Sequence, residues 1–270
     1  MPSKLLGLAK YKDERARNPN SIGILVEGDS WFNLPPLVGG TNLVIALKAI
    51  LGSKIAILDL SKSGDEAREM LAGEQLKTLQ ETLDAKGVSF DAILFSGGGN
   101  DLVGPNLLPI LNSYIDGMTA KDCLKEHRLG TRLDQIASAY QELTWLRDDY
   151  EKDAWIFTHG YDLAKPSGKG ARFILEVAGG WVKERLDSKG IPETLHSDIV
   201  RLLLENFDTK IKTVMNNTPK CVHVATQGTL TKDEHWGDEL HPSEIGFKLL
   251  AEKFADALKE KFPDRLRSMM

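Results

Sequence analysis

The chain has 270 residues, 41% hydrophobic and 27% charged, enough to bury a sizeable core, and this excludes disorder throughout. Its 34 Lys and Arg against 39 Asp and Glu leave a formal net charge of −5, a poor balance for a nucleic-acid partner. No stretch reaches ~18 uncharged apolar residues, so no membrane-spanning helix is expected, and the N-terminal apolar stretch is too short for a signal-peptide core.

Five short apolar runs recur along the chain: 22–27 (IGILVE), 54–60 (KIAILDL), 90–96 (FDAILFS), 154–158 (AWIFT) and 221–225 (CVHVA). Each is apolar on both alternating faces, as a strand buried on both sides of a parallel sheet must be. Helical patterns lie between them. In 131–150, Leu133, Ile136, Tyr140 and Leu143 fall in steps of three and four. In 243–262, Phe247, Leu250, Phe254 and Leu258 do the same, with Ser243 as N-cap and Pro263 as stop. Alternating strand and helix predicts an α/β domain with a central five-stranded parallel sheet and right-handed crossovers. Residues 1–270 are read as that one domain, with rim insertions at 102–130 and 165–216. Cys123 and Cys221 lie far apart and match neither a disulfide framework nor a metal spacing; they read as reduced thiols of a cytoplasmic protein.

In open α/β sheets, ligands bind at the carboxyl ends of the strands. The predicted strands are followed by Gly28-Asp29-Ser30-Trp31, Ser61-Lys62-Ser63-Gly64-Asp65, Gly97-Gly98-Gly99-Asn100-Asp101, His159-Gly160-Tyr161-Asp162 and, after a longer loop, Asp238-Glu239-Leu240-His241-Pro242. Together these groups suit acyl transfer. A serine hydroxyl needs a neighbouring base to become a nucleophile. Ser30 is the candidate nucleophile, His241 its base, and Asp238 the group that fixes the histidine tautomer. The oxyanion of a tetrahedral intermediate needs fixed donors. The backbone N–H groups of Ser30 and Gly64 and the side-chain amide of Asn100 are the candidates, and glycine at 64 would allow close backbone approach.

EGDSW, SGGGND and DELHP resemble the conserved blocks of the SGNH, or GDSL-type, hydrolases. The resemblance implies a flavodoxin-like three-layer α/β/α fold and hydrolysis of esters, thioesters or acetylated small molecules. It places the family's Ser, Gly, Asn and His on Ser30, Gly64, Asn100 and His241, and the acid of D-x-x-H on Asp238. Trp31 stands where the family usually has Leu. Other folds fit less well: Gly28-Asp29-Ser30-Trp31-Phe32 lacks the second glycine of G-x-S-x-G, and Gly168-Lys169-Gly170 fails the Walker pattern.

The resulting expectation is a serine esterase acting on a small-molecule ester, with no cofactor, no metal and no nucleic-acid partner. An acyltransferase of the same fold and an idle binding module for acylated ligands are the alternatives. The sequence leaves the oligomeric state open. Asp29 and Asp101 read as loop braces, and Trp31, His159, Asp162 and Trp181 as candidate substrate-rim residues. Phe32, Leu34 and Pro35 read as core or pocket wall, His127 and His196 as solvent-facing, and His223 and His235 as lacking an evident partner. The 165–216 insertion is expected to cover the site, with a flexible entry at 166–170, a second hinge at Gly179-Gly180, and Phe173, Leu175, Trp181 and Val182 offered to an acyl group; a dimer contact or an ordinary packed helix pair is the alternative reading.

Overall fold

The structure, a computed structural model, describes residues 2–34, 41–170 and 180–266. Pro35, Phe173, Leu175 and Gly179 therefore lie outside the described residues. Helix α1 (Pro2–Arg17) precedes strand β1 (Ile22–Gly28), then come α2 (Leu43–Leu51), β2 (Ile55–Asp59), α3 (Ala67–Met70) and α4 (Gly73–Leu83). Strand β3 (Ala92–Ser96) leads through a 3₁₀ turn at Gly104–Ile110 to the long α5 (Glu126–Tyr150). Beyond β4 (Trp155–His159) lie α6 (Lys183–Asp187), α7 (Glu193–Asn216), β5 (Cys221–Val224), α8 (Glu244–Lys261) and α9 (Pro263–Leu266).

All five strands are parallel, in the order β2-β1-β3-β4-β5. Helices cover both faces, giving the three-layer α/β/α fold expected of a doubly wound sheet. Helix α2 packs against α8 in one layer, while α5 and α7 pack together with α3 and α4 beside them. Every residue of β1 and β3 is buried, as both-face coverage demands. Register puts Gly28 opposite Ser96 and His159 opposite Val224, so the strand ends line up along one edge. The strand order reverses between β1 and β3. The loops carrying Ser30 and Asn100 leave the sheet on the two sides of that crevice.

The sequence expectations need three changes. Strand β4 runs one residue further, so His159 belongs to the strand and not to the loop after it. The proposed insertion 165–216 is also not all rim. Its second half is α7, whose Ile199, Leu203, Phe207, Ile211 and Met215 are buried at helical spacing and which packs on α5, β4 and β5. This is the return helix of the β4–β5 crossover. Only the stretch before it is extra. Helix α5 likewise begins at Glu126, earlier than the pattern from 131 suggests. Helix α8 starts where expected: the Ser243 hydroxyl accepts the Gly246 N–H at 3.2 Å and donates to Glu234 O at 2.6 Å.

At the other end of the strands, Arg147 of α5 is 1% exposed. It donates to Ala154 O at 3.0 Å and Pro219 O at 3.1 Å, tying the starts of β4 and β5 together. Arg147→Met keeps much of the volume and leaves both carbonyls without that donor. Ala154 is buried and Pro219 exposed, so the penalty of a buried unsatisfied acceptor, about 1–3 kcal/mol, falls on Ala154 O. Urea unfolding should therefore report a loss of about 1–3 kcal/mol; an unchanged midpoint would show that the tie carries no stability.

Candidate active site

At the carboxyl edge, the Ser30 hydroxyl lies 2.9 Å from His241 Nε2. On the far side of the ring, Nδ1 is 2.8 Å from Asp238 Oδ2 and 3.0 Å from Oδ1. Asp238 Oδ1 also accepts the backbone N–H groups of Leu240 and His241, each at 2.8 Å. Burial acts to raise the pKa of Asp238, but its contacts with His241 and these N–H groups outweigh that and hold the carboxyl below its ordinary range. An ionised Asp238 accepts the hydrogen bond from Nδ1–H, leaving Nε2 as acceptor for the Ser30 O–H. Such an arrangement can take a proton from the serine as it attacks an electrophile.

The loops after β2 and β3 are stitched to each other. Asn100 Nδ2 donates to Asp65 O at 2.9 Å, and Asp101 accepts from Ala67 N and Arg68 Nε at 2.8 and 2.9 Å. Asn106 spans the seam, donating to Glu66 Oε1 at 2.6 Å and Asn100 O at 2.9 Å. Asn100 is thereby brought beside the loop of Gly64. Gly64 itself is exposed, with φ +91° and nothing within 4 Å of where a Cβ would stand. Left-handed backbone, and not lack of space, is what calls for glycine there. The Ser30 loop is bound to its neighbours as well, through Asn33 Nδ2 to Ser61 O at 2.6 Å and Trp31 Nε1 to Leu240 O at 3.1 Å.

The four rim candidates separate. Trp31 is 4% exposed and packs into the interior, stacked on His159 at 5.3 Å with its edge contacts to Tyr161 and Phe247. Phe32 and Leu34 are core residues too. His159 is fully buried, because β4 includes it. Asp162 is also buried; it accepts from Leu163, Gly228 and Leu230 N–H groups and so shapes the loop after β5. Trp181 alone of the four stands at the site, half-buried, its ring 6.4 Å from and edge-on to that of His241. Among the other histidines, His127 is exposed and His196 is not: it is buried, with Nε2 2.9 Å from Ile191 O. His223 finds Asp208 at 2.7 Å, and His235 Nδ1 accepts from Lys232 N at 3.4 Å.

Sequence reasoning assigned no role to three residues that hold this edge together. Glu239, fully buried between Asp238 and His241 in the chain, accepts backbone N–H bonds from Gly168, Val182 and Lys183 at 2.9–3.0 Å. It fastens the strands of chain on either side of the 171–179 stretch to the His241 loop and sets Trp181 beside the imidazole. Ser96 and Tyr161 both donate to the Asp29 carboxylate. Glu239 stood in view inside DELHP and Tyr161 inside His159–Asp162, but neither has a residue type that signals its partner. Burial pushes Asp29 up to about 6, against hydrogen bonds from Tyr161, Trp31 and Ser96 that act to lower it. Among the described residues, no group of three or more His, Cys, Asp or Glu could hold a metal ion, and no helix is long and apolar enough to cross a membrane.

No family model matches the sequence, and no curated protein matches it either. Solved structures do resemble it. The lipase Lip_vut3 from a goat rumen metagenome is 17% identical with a TM-score of 0.55, covering 88% of this chain and 97% of its own. A protein assigned as an SGNH hydrolase from Slackia heliotrinireducens is 14% identical with a TM-score of 0.55, over 88% and 99%. A carbohydrate esterase of family 3 from Talaromyces cellulolyticus is 13% identical with a TM-score of 0.51, over 90% and 99%. At these identities the likeness is one of fold.

Burial, with a smaller effect of His223, depresses His159 to about 3. In the unfolded chain a histidine titrates near 6.5. Below ~6.5 the unfolded state therefore binds a proton that the folded state refuses. The stability that a neutral His159 contributes is complete above that pH and is lost as pH falls toward about 3. His159→Gln should thus flatten the fall of the urea midpoint between about pH 6.5 and about 3, the window set by those two values. Parallel curves for variant and wild type would show that His159 does not control acid sensitivity.

Proposed function

We propose that this chain, which has the fold of the SGNH hydrolases, is a single-domain serine esterase that cleaves small-molecule carboxylic esters through an acyl-enzyme on Ser30. The observation that carries the reading is the continuous line Ser30 Oγ–His241 Nε2, 2.9 Å, and His241 Nδ1–Asp238 Oδ2, 2.8 Å. The names of the lipase and esterase that share the fold support ester chemistry.

As Ser30 Oγ bonds to the ester carbonyl carbon, its proton passes to His241 Nε2. Asp238 stabilises the imidazolium that results. The carbonyl oxygen becomes an oxyanion, received by the N–H groups of Ser30 and Gly64 and by the Asn100 amide. One of the two Asn100 N–H hydrogens is already held by Asp65 O, which orients the other. Collapse breaks the bond to the alcohol, which leaves with the proton from His241. A water then gives its proton to His241 as it attacks the acyl carbon, and Ser30 departs with that proton as the acid is released.

Ser30→Ala should lower kcat on nitrophenyl esters by a factor on the order of 10⁶, as loss of a triad nucleophile does. It should also abolish covalent labelling by a fluorophosphonate probe while the urea midpoint stays near that of wild type. A variant within tenfold of wild type rules out Ser30 as nucleophile. Asn100→Ala should reduce kcat by about 10²–10³ with little change in KM, because the hydrogen bond strengthens only as charge develops. A change confined to KM would make Asn100 a substrate-binding group instead.

A further inference from the structure

Tyr161 is the point where the strand-end loops meet. It follows β4, is 5% exposed, and is one of two non-glycine residues with positive φ among the described residues, at +58°. That conformation is uncommon for an aromatic residue and persists where surrounding contacts over-determine it. Those contacts are present. The Tyr161 N–H donates to His159 Nδ1 at 3.0 Å, and its carbonyl accepts from Thr226 Oγ1 at 2.6 Å. The ring packs edge-on against Trp31 at 5.0 Å and against His159 at 4.8 Å.

The hydroxyl end carries the consequence. It donates to Asp29 Oδ2, the residue before Ser30. It accepts the N–H of Gly99, the residue before Asn100, at 3.0 Å. A Cβ on Gly99 would stand 3.0 Å from Tyr161 Cζ, so a glycine is what lets the phenol come this near. The other carboxylate oxygen of Asp29 is fixed by Trp31 N at 3.0 Å and Ser96 Oγ at 2.9 Å. Since His159 Nδ1 accepts, its Nε2 carries the proton and donates to Ser96 Oγ at 2.9 Å, which points the serine hydrogen at Asp29. Each buried polar group in this chain of bonds has one assigned direction.

We propose that Tyr161 is a positioning residue for the reaction: its hydroxyl, shared between Asp29 and the Gly99 amide, holds the Ser30 loop and the Asn100 loop at one spacing. The inference rests on the serine esterase reading above. Attack by Ser30 and reception of the oxyanion by Asn100 must happen around one carbonyl group. A displacement of about 1 Å between them can cost on the order of 10² in rate.

The experiment compares Tyr161→Phe, Asp29→Asn and the double variant with wild type, using nitrophenyl acetate and fluorophosphonate labelling well below each unfolding temperature. Tyr161→Phe removes only the shared hydroxyl. It should lower kcat by about 10- to 100-fold, leave KM within about threefold, and slow labelling of Ser30 in proportion. Asp29→Asn keeps one acceptor oxygen where Asp29 uses two, so its NH2 must face either the phenol or the Trp31 N–H and Ser96 hydroxyl. It should lose a similar factor. The double variant should be no slower than the worse single one, since both remove the same link. A pure packing role would lower the unfolding temperature and leave kcat unchanged. A Tyr161→Phe rate within twofold of wild type overturns the proposal, as do fully additive losses. A wild-type chain that neither hydrolyses the ester nor takes up the probe overturns the underlying esterase reading, and the proposal with it.

Discussion

Parallel pairing in strict register is the constraint on which the rest of this molecule depends. Because β1 pairs with β2 on one side and β3 on the other, their exits must emerge at the same edge. The ladder continues past the strands, through Lys62 N to Gly28 O at 2.8 Å and Asp29 N to Ser96 O at 2.9 Å. Three loops are thus set before any side chain takes part. Side-chain bonds then need to correct only small displacements between loops that backbone pairing has already placed, which is why an amide such as Asn100 can bridge two of them.

The His241 loop has no such help, since it lies well beyond β5. It is held instead by its own turn, with Gly237 N–H on His241 O at 2.8 Å and the Asp238 carboxylate accepting two N–H groups, and by the start of α8 behind it. Trp31 completes the attachment from the Ser30 side by donating to Leu240 O. An indole where a leucine would be usual in the resembling family adds a hydrogen bond that joins the Ser30 loop to the His241 loop. At 4% exposed and packed on His159, Tyr161 and Phe247, it supports these loops from the interior.

The interior beneath the site is unusually polar for a sheet core. Asp29, Ser96, His159 and Tyr161 are all buried and hydrogen-bonded to one another. Burying such groups is favourable only when every one finds a partner, and a fully satisfied network specifies one arrangement. Its effect is rigidity where two loops must agree, and its cost is sensitivity to acid through a histidine that stays neutral when buried. Glu239 works the same way on the opposite side of His241, where one carboxylate gathers three N–H groups from chain far from it in sequence.

How much of this was legible in the residues depended on how local the signal was. Strand runs such as IGILVE and the α8 pattern of Phe247, Leu250, Phe254 and Leu258 are periodic over a few residues, so fold class and element order followed from the chain. Ser30, Asn100, Asp238 and His241 stood out as chemistry-bearing types at strand ends, and hydrogen bonds join three of them, Ser30, His241 and Asp238. The sequence could not tell rim from core. A tryptophan, a histidine and an aspartate after a strand look alike whether they stand half-buried at the rim, like Trp181, or lie inside, like Trp31, His159 and Asp162. That choice rests on partners distant in the chain: Tyr161 meets Asp29 across 132 residues, and Trp31 meets Leu240 across 209. The same reason hid α7 inside a supposed insertion, since only packing on β4, β5 and α5 makes it a layer helix. Periodicity is written along the chain and can be read there. Which buried donor meets which acceptor is decided only when the sheet closes and brings them within 3 Å.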